Sequence, residues 1–365
     1  MDNLKFAVVG DLVPGGSLIE KNIDPLKEID STFSDCNFIW ANLECSIPFE
    51  NTPINNRSSK VPGDYSTLLS VIKSRKFIFS MANNHAMDYD LKNLLKTKEL
   101  LSKNNIELFG IGSNQEEARK PHLFEFNGVK IGLAAYSSDD KWVGGHLKER
   151  PGEYISILNE KTIKEVKEYS KLVDHLFVAL HFGKEFTNYP IPGDIEIARL
   201  LIDNGASAIF GHHPHVFQGY EIYKGKPVFY SLGNFLFPSF NKPQKLRWTL
   251  KERTGLVVKI KIVNQESFNW EIIPTAYETG SGMVKKLAGR KSRKVFLKLN
   301  RISDPLALNK AEYKNKFEVH FKFVLTKIIV RGITRNIFKP QQKHFIMFFK
   351  LVKRLLLEFP AKKST

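Results

Sequence analysis

"ASAIFGHHPHVFQGYEIYKGKPVFYSLGNFLF", residues 206–237, is the stretch that decides the fold. An apolar, β-rich run ends in three histidines within four positions, and two more apolar runs follow on either side of Lys224-Gly225-Lys226. A packed core has no use for that much imidazole, so these residues belong to a site at the end of a strand. Residues two apart in extended backbone face the same way, so His213 and His215 are expected to converge on one place, with Pro214 restraining the turn between them. His212 then points elsewhere, as a supporting or surface residue. Sites of α/β proteins gather at the C-terminal ends of strands, so the partners of these histidines are to be sought at other strand ends.

Working outward, short β-rich runs alternate with helical ones over residues 1 to about 280, the pattern of a layered α/β domain. The strands expected are "LKFAVVG", "CNFIWANLE", "KFIFSMA", "IELFGIG", "DHLFVALHFG" and "ASAIFG". Between them "YSTLLSVIKSRK", "LKNLLKTKELLSKNN" and "IEIARLLIDNG" place apolar residues three and four apart, as crossover helices do, and Gly205 stops the last. Antiparallel hairpins interrupt the pattern at "HLFEFNGVKIGLAAY" and at the Lys-Gly-Lys turn, and "GLVVKIKIVNQESFNWEIIPT" adds further β structure. So many hairpins predict two packed sheets with helices outside rather than one doubly wound sheet.

The strand ends carry the chemistry. Asp11, Asn42, Glu44, Asn84 and His85 (with Asp88 beyond them), His181, His213 and His215 all follow apolar runs. The donors are nitrogen and oxygen without sulfur, a set that suits Mn, Fe or Zn as a divalent cofactor. A carboxylate such as Glu44 can bridge two ions about 3.5–4 Å apart, the spacing that activates a water and clamps a phosphoryl group. His85, beside Asn84, is placed to protonate a leaving oxygen. Asn42 reads equally as a turn or a site residue, Asn234 first as a turn former and second as a residue near the site, and Lys184 and Glu185 first as solvated loop charges and second as substrate contacts. "VVGDLVPGG" lacks the Gly-x-Gly-x-x-Gly spacing of a dinucleotide site.

At these residues a resemblance emerges. "GDLVPGG", "ANLECSI", "ANNHAMDYD", "ALHFGKEF" and "GHHPHVFQGYEIYKGKPVFYSLGNFLF" resemble, in order, the motifs of the CapA family of capsule or poly-γ-glutamate synthesis, part of the calcineurin-like metallophosphoesterase superfamily. The resemblance spans residues 5 to about 275 and implies a four-layer α/β/β/α sandwich. It further implies that Asp11, Glu44 and His215 hold a first metal, and Glu44, Asn84, His181 and His213 a second. His85 would contact the phosphate or leaving group, with Asp88 orienting it as outer-shell carboxylates do. Two departures stand out: Val13 occupies the position where the superfamily has a histidine, and Glu44 the position of its bridging aspartate. The first metal is thereby short of a ligand.

The net charge of +17 is not spread over the chain. From Lys285 onward there are 22 lysines and arginines against 4 acidic residues, leaving 33 against 34 before it. A basic, mainly helical extension, 281–365, is therefore expected beyond a domain of residues 1–280. Its segment "HFIMFFKLVKRLLLEF" mixes apolar residues with cations as an interfacial helix does, which suggests docking on an anionic membrane surface. Packing of its helices back onto the core is the second reading, and nucleic acid a weaker alternative resting on that charge alone. Neither an export signal nor a run of about 18 uncharged apolar residues is visible. Two cysteines, Cys36 and Cys45, are too few for a disulfide framework, so a cytoplasmic place, peripheral at the inner face of the membrane, is expected.

Two functional readings follow. One is a metal-dependent phosphoesterase acting on a phosphorylated or polymer-linked substrate during capsule or surface-polymer synthesis. The other is a non-catalytic, metal-binding accessory subunit of the capsule or poly-γ-glutamate machinery, a reading that the missing ligand at Val13 supports.

Overall fold

A computed structural model describes residues 3–49, 60–138, 157–241 and 245–336. Its first compact unit runs from Met1 to Ala307 and is built on two sheets. In the first sheet Lys5–Leu12 (β1), Phe38–Leu43 (β2), Phe77–Ser80 (β3) and Glu107–Phe109 (β4) lie parallel. Thr254–Ile262 (β13), Phe268–Glu278 (β14) and Met283–Lys286 (β15) extend it antiparallel from β1, and Asn234–Leu236 (β12) pairs with the end of β1. The second sheet runs Tyr220–Tyr223 (β10), Lys226–Phe229 (β11), Ala208–His212 (β9), His175–His181 (β8), Val129–Ser138 (β6), His122–Phe126 (β5). Ile157–Leu158 (β7) pairs with β6.

The buried runs explain the order. In β2, β3, β8 and β9 every residue is buried, as strands covered on both faces must be. Edge hairpin β5–β6 turns at Asn127-Gly128 and β10–β11 at Lys224-Gly225, each with two successive left-handed residues (φ 49° and 79°; 49° and 76°), as the Asn-Gly and Lys-Gly pairs predict. The two sheets meet through aromatic rings: Phe6 against Phe177 at 5.3 Å, Phe38 against Phe124 at 5.7 Å and Trp40 against Phe210 at 5.9 Å. Trp40 also donates from its indole N–H to Ser80 Oγ at 3.2 Å, so its polar atom is satisfied inside the interface.

Helices cover the outer faces. Tyr65–Ile72 (α1) and Leu91–Lys103 (α2) belong to the first sheet's crossovers. Each starts where an aspartate, Asp64 or Asp90, accepts from a first-turn amide. Gln115–Arg119 (α3), Glu160–Tyr169 (α4) and Pro192–Asp203 (α5) accompany the second sheet, and α5 buries Ile195, Ala198, Leu201 and Ile202. The result is the four-layer α/β/β/α sandwich expected.

The compact unit extends past residue 280, where the sequence reading drew the boundary, to Ala307. The cause is packing. β15 continues the first sheet, and Gly289–Ser303 (α6) buries Val295, Leu299 and Ile302 while Ser303 Oγ accepts from the Tyr220 amide at 3.0 Å. The second unit begins at Leu308 and contains one described helix, Lys310–Asn336 (α7), in which Phe317 and Phe321 stack at 5.6 Å. "FVLTKIIVRGI" falls within α7, whereas "HFIMFFKLVKRLLLEF" lies outside the described residues. Among the described residues no helix is long and apolar enough to cross a membrane.

Candidate metal centre

Parallel strands of both sheets end on the same side, and each end contributes a polar group. β1 delivers Asp11, β2 is followed by Glu44, β3 by Asn84 and His85, β8 ends in His181, and β9 runs into His213 and His215. The approach of β12 to β1 requires glycine: a Cβ on Gly10 would stand 1.8 Å from the Gly233 carbonyl oxygen, and the Asp11 amide donates to that oxygen at 3.0 Å. This pairing sets Asn234 opposite Asp11.

Two groups of donors form around Glu44. Its carboxylate lies with one nitrogen each of His181 and His213, and again with Asp11 and His215, and within each group all the atoms are within 4.8 Å of one another. Donors about 2.0–2.2 Å from a common ion are at most about 4.4 Å apart, so either group closes on an ion with a few tenths of an ångström of side-chain movement. Glu44 Oε1 is 3.7 Å from His181 Nε2 and 3.8 Å from His215 Nε2, at the centre of both. Glu44 is fully buried, and neither of its oxygens has a hydrogen-bond partner. An anion held that way without a counter-charge is costly, and a shared cation resolves it. The residues present therefore fit a divalent ion or an ion pair.

Protonation is set to match. Burial, and after it the charge of Asp11, raises the Glu44 carboxyl well above its ordinary range. Burial alone would raise Asp11 too, but His212, His215 and Asn42 outweigh it and hold that carboxyl below its usual value. His181 is pushed well below its ordinary value by burial and then by His213, and burial takes His213 down to about 4. Neutral imidazole is the form that ligates.

The turn differs from the extended backbone expected. His213 and His215 both have positive φ, 96° and 56°, and non-glycine residues adopt such conformations at a cost of about 1–3 kcal/mol each. The two rings reach the site through this strained turn rather than by strand alternation, and stand 6.0 Å apart. His212 does not point away either: its Nδ1 is 3.2 Å from Asp11 Oδ1.

Asn84 Oδ1 is 2.8 Å from His181 Nε2, so it reaches the centre on the His181 side. His85 belongs to neither donor group. Its Nδ1 sits 2.7 Å from Asp88 Oδ2, and that oxygen also accepts from the Val61 amide at 2.8 Å. Residues left open or unmentioned by the sequence reading do the supporting work. Asn42 donates to Asp11 Oδ1 at 2.8 Å and stands 3.3 Å from His181 Nδ1, and Asn83 donates to Asn42 Oδ1 at 3.1 Å while accepting from the His85 amide. Asn234, read as a turn former, sets Oδ1 3.0 Å from His215 Nδ1 and donates to the Glu252 carbonyl. A signal existed in the placement of asparagines directly at strand ends, but only pairing of distant strands gives each its partner. Val13 is fully buried and apolar, and supplies no ligand.

Comparison with known proteins adds a lineage to this geometry. The chain is 25% identical over 342 residues to a capsule biosynthesis protein CapA of Bacillus anthracis, covering 90% of this chain and 80% of that one. It is 30% identical over 296 residues to the PGA biosynthesis protein CapA of Bacillus subtilis strain 168, covering 78% and 75% respectively. Among solved structures, a phosphatase from Mycoplasma pneumoniae superposes with a TM-score of 0.49 at 14% identity, over 82% of this chain and 99% of that one. Residues 5–239, which carry every one of the strand-end groups described above, match the family described as bacterial capsule synthesis protein PGA_cap, and the chain belongs to that family.

Proposed function

We propose that this chain is a metal-dependent phosphoesterase of bacterial capsule or poly-glutamate synthesis, acting on a phosphorylated or polymer-linked substrate. The observation that carries the reading is Glu44, a fully buried carboxylate with no hydrogen bond, shared between two groups of histidines and Asp11. Family membership supports the biological setting. Asp11, Glu44 and His215 would hold one ion, and Glu44, Asn84, His181 and His213 a second, drawn from Mn, Fe or Zn by the nitrogen and oxygen donors. When bound, such ions supply an activated water and neutralise phosphoryl charge.

The chain's own groups do the rest. His85, buried beside the centre and bound through Nδ1 to Asp88, presents Nε2 as the proton donor to the leaving oxygen. Asp88 fixes the ring and steadies its positive charge before transfer, while the Val61 amide fixes Asp88. Asn42 and Asn83 keep the Asp11, His181 and His85 segments in register. Elemental analysis of the purified chain tests the reading: Mn, Fe or Zn is expected in wild type and absent from Glu44→Ala and His213→Ala. Metal content unchanged in both variants rejects it.

One observation favours a second reading, in which the domain binds metal as an accessory subunit of the polymer-synthesis machinery. Buried Val13 leaves the Asp11 group with three protein ligands and no histidine at the position where the superfamily has one. Full rescue of polymer production by a His85→Ala chain would favour it. In either reading the basic segment beyond Ala307 holds the chain at an anionic membrane surface, each cation adding about 1 kcal/mol.

A further inference from the structure

The outer face of α6 is charged in a way that folding alone does not favour. Residues 289–303 hold Arg290, Lys291, Arg293, Lys294, Lys298 and Arg301 and no acidic residue. Residues three and four apart are neighbours on a helix, so Arg290 adjoins Arg293 and Lys294, Lys291 adjoins Lys294, and Lys298 adjoins Lys294 and Arg301. Such like-charged pairs are unfavourable. Arg290 and Lys291 also lie in the first turn, where the helix dipole is positive and no side chain caps the start. Among the described residues none of the six cations has an ion-pair partner.

The same face holds apolar groups in water. Val295, Leu299 and Ile302 are buried, whereas Leu297 is 61% exposed and Phe296 beside it 37%. Leu297 stands four residues from Arg293 and from Arg301 and three from Lys294, all three exposed, so cations surround an exposed leucine. A nucleic acid or an acidic polymer would engage these cations and leave Leu297 in water. An anionic lipid leaflet satisfies both kinds of group: headgroup phosphates meet the guanidinium and ammonium groups, while Leu297 and Phe296 enter the acyl boundary. The inner side of α6 lies against the segment that leaves the histidine turn. Lys298 Nζ stands 4.4 Å from the centroid of the Phe217 ring, and the Tyr220 amide donates to Ser303 Oγ at 3.0 Å. A helix with its side chains is about 10–12 Å across, so a leaflet on the outer face lies about that far from residues 217–220.

We propose that the outer face of α6, centred on Leu297, docks the compact unit on an anionic lipid leaflet. It is a contact additional to the segment beyond Ala307, and it does not depend on whether the metal centre is catalytic. The test uses the full chain with Cys36→Ser, since Cys45 is buried, and an environment-sensitive fluorophore attached at Leu297→Cys. With phosphatidylglycerol vesicles its emission is expected to shift to the blue and to be quenched by spin labels on the acyl chains; with phosphatidylcholine vesicles neither is expected. The same fluorophore at Leu123→Cys, exposed on β5 at the opposite edge of the second sheet from β10, should stay in water. Arg290→Gln, Arg293→Gln, Lys294→Gln and Arg301→Gln together should weaken vesicle binding at least tenfold. Their melting temperature should equal or exceed that of the parent, because like-charged neighbours are relieved. A Leu297 probe that stays in water on vesicle-bound chain, a chain that binds no vesicles, equal shifts at both positions, or unchanged binding by the fourfold variant overturns the proposal. A shift with soluble poly-γ-glutamate but not with vesicles overturns it in favour of the polymer. Failure of the tail as an anchor registers separately, as equal flotation of the full chain and a chain ending at Ala307 with the Leu297 probe still in the leaflet.

Discussion

Glu44→Gln should stabilise the protein when metal is stripped and destabilise it when metal is supplied. In the metal-free fold Glu44 is a fully buried carboxyl with no hydrogen bond, so at neutral pH the fold bears the cost of its charge or of the proton that neutralises it. Relieving an uncompensated buried charge is worth about 3–5 kcal/mol, and the amide left in its place forfeits about 1–3 kcal/mol of unmade hydrogen bonds. The net gain is about 2 kcal/mol, or roughly 4 °C in Tm for a unit of this size at about 2 °C per kcal/mol. An ion at a thousandfold excess over its Kd adds about 4 kcal/mol to wild type alone, so the order of the two melts inverts. The assay is a thermal melt of both chains in EDTA and in excess Mn. The inversion also depends on pH in a stated direction. Burial holds the Glu44 carboxyl well above its ordinary 4.5, so on acidification the folded chain takes up that proton before the unfolded chain does. The metal-free advantage of glutamine is thus largest at neutral pH and shrinks as pH falls. A Glu44→Gln chain that melts lower than wild type in EDTA, or that gains as much from Mn as wild type does, refutes the reasoning.

Further outcomes follow from the same contacts. His85→Ala should lower phosphoester turnover by about 10²–10⁴ with metal content unchanged, and Asp88→Asn should lower it less; loss of metal in either would remove His85 from the proton-transfer role. His213 is depressed to about 4 by burial, so below pH 6.5 the unfolded chain takes up its proton first. The metal-free chain should therefore lose about 3 kcal/mol between pH 6.5 and 4 from this residue, a component that denaturant titrations should find missing in His213→Asn. Trp40→Ala, which empties the interface between the sheets, should cost about 3–5 kcal/mol by the same titrations. A chain ending at Ala307 should float less with anionic liposomes than the full chain; equal flotation rejects the tail as a membrane anchor.

Much of the sandwich was legible because its strands announce themselves. Fully apolar runs such as "FAVV" and "LFVAL" cannot be surface elements, and Asn127-Gly128 between alternating residues has one common outcome, a tight hairpin. The domain end was not legible. α6 carries six cations, which reads as a solvated extension, but its Val295, Leu299 and Ile302 are spaced to cover the core, and that spacing outweighs the surrounding charge. Likewise Asn234 looks like a turn residue because nothing nearby in sequence shows that β12 will lie against Asp11.

For the centre itself, the donors were legible along the chain: carboxylates, amides and imidazoles at the ends of apolar runs, without sulfur. Strand alternation and strand ends are local properties, so they survive without knowledge of the fold. How the donors meet follows from long-range packing. It bent His213 and His215 into left-handed conformations, brought His212 to Asp11, and set Glu44 between two groups drawn from opposite sheets. Those relations depend on pairings between residues more than a hundred positions apart, which are settled by burial of the two sheets against each other and leave no mark on the local pattern.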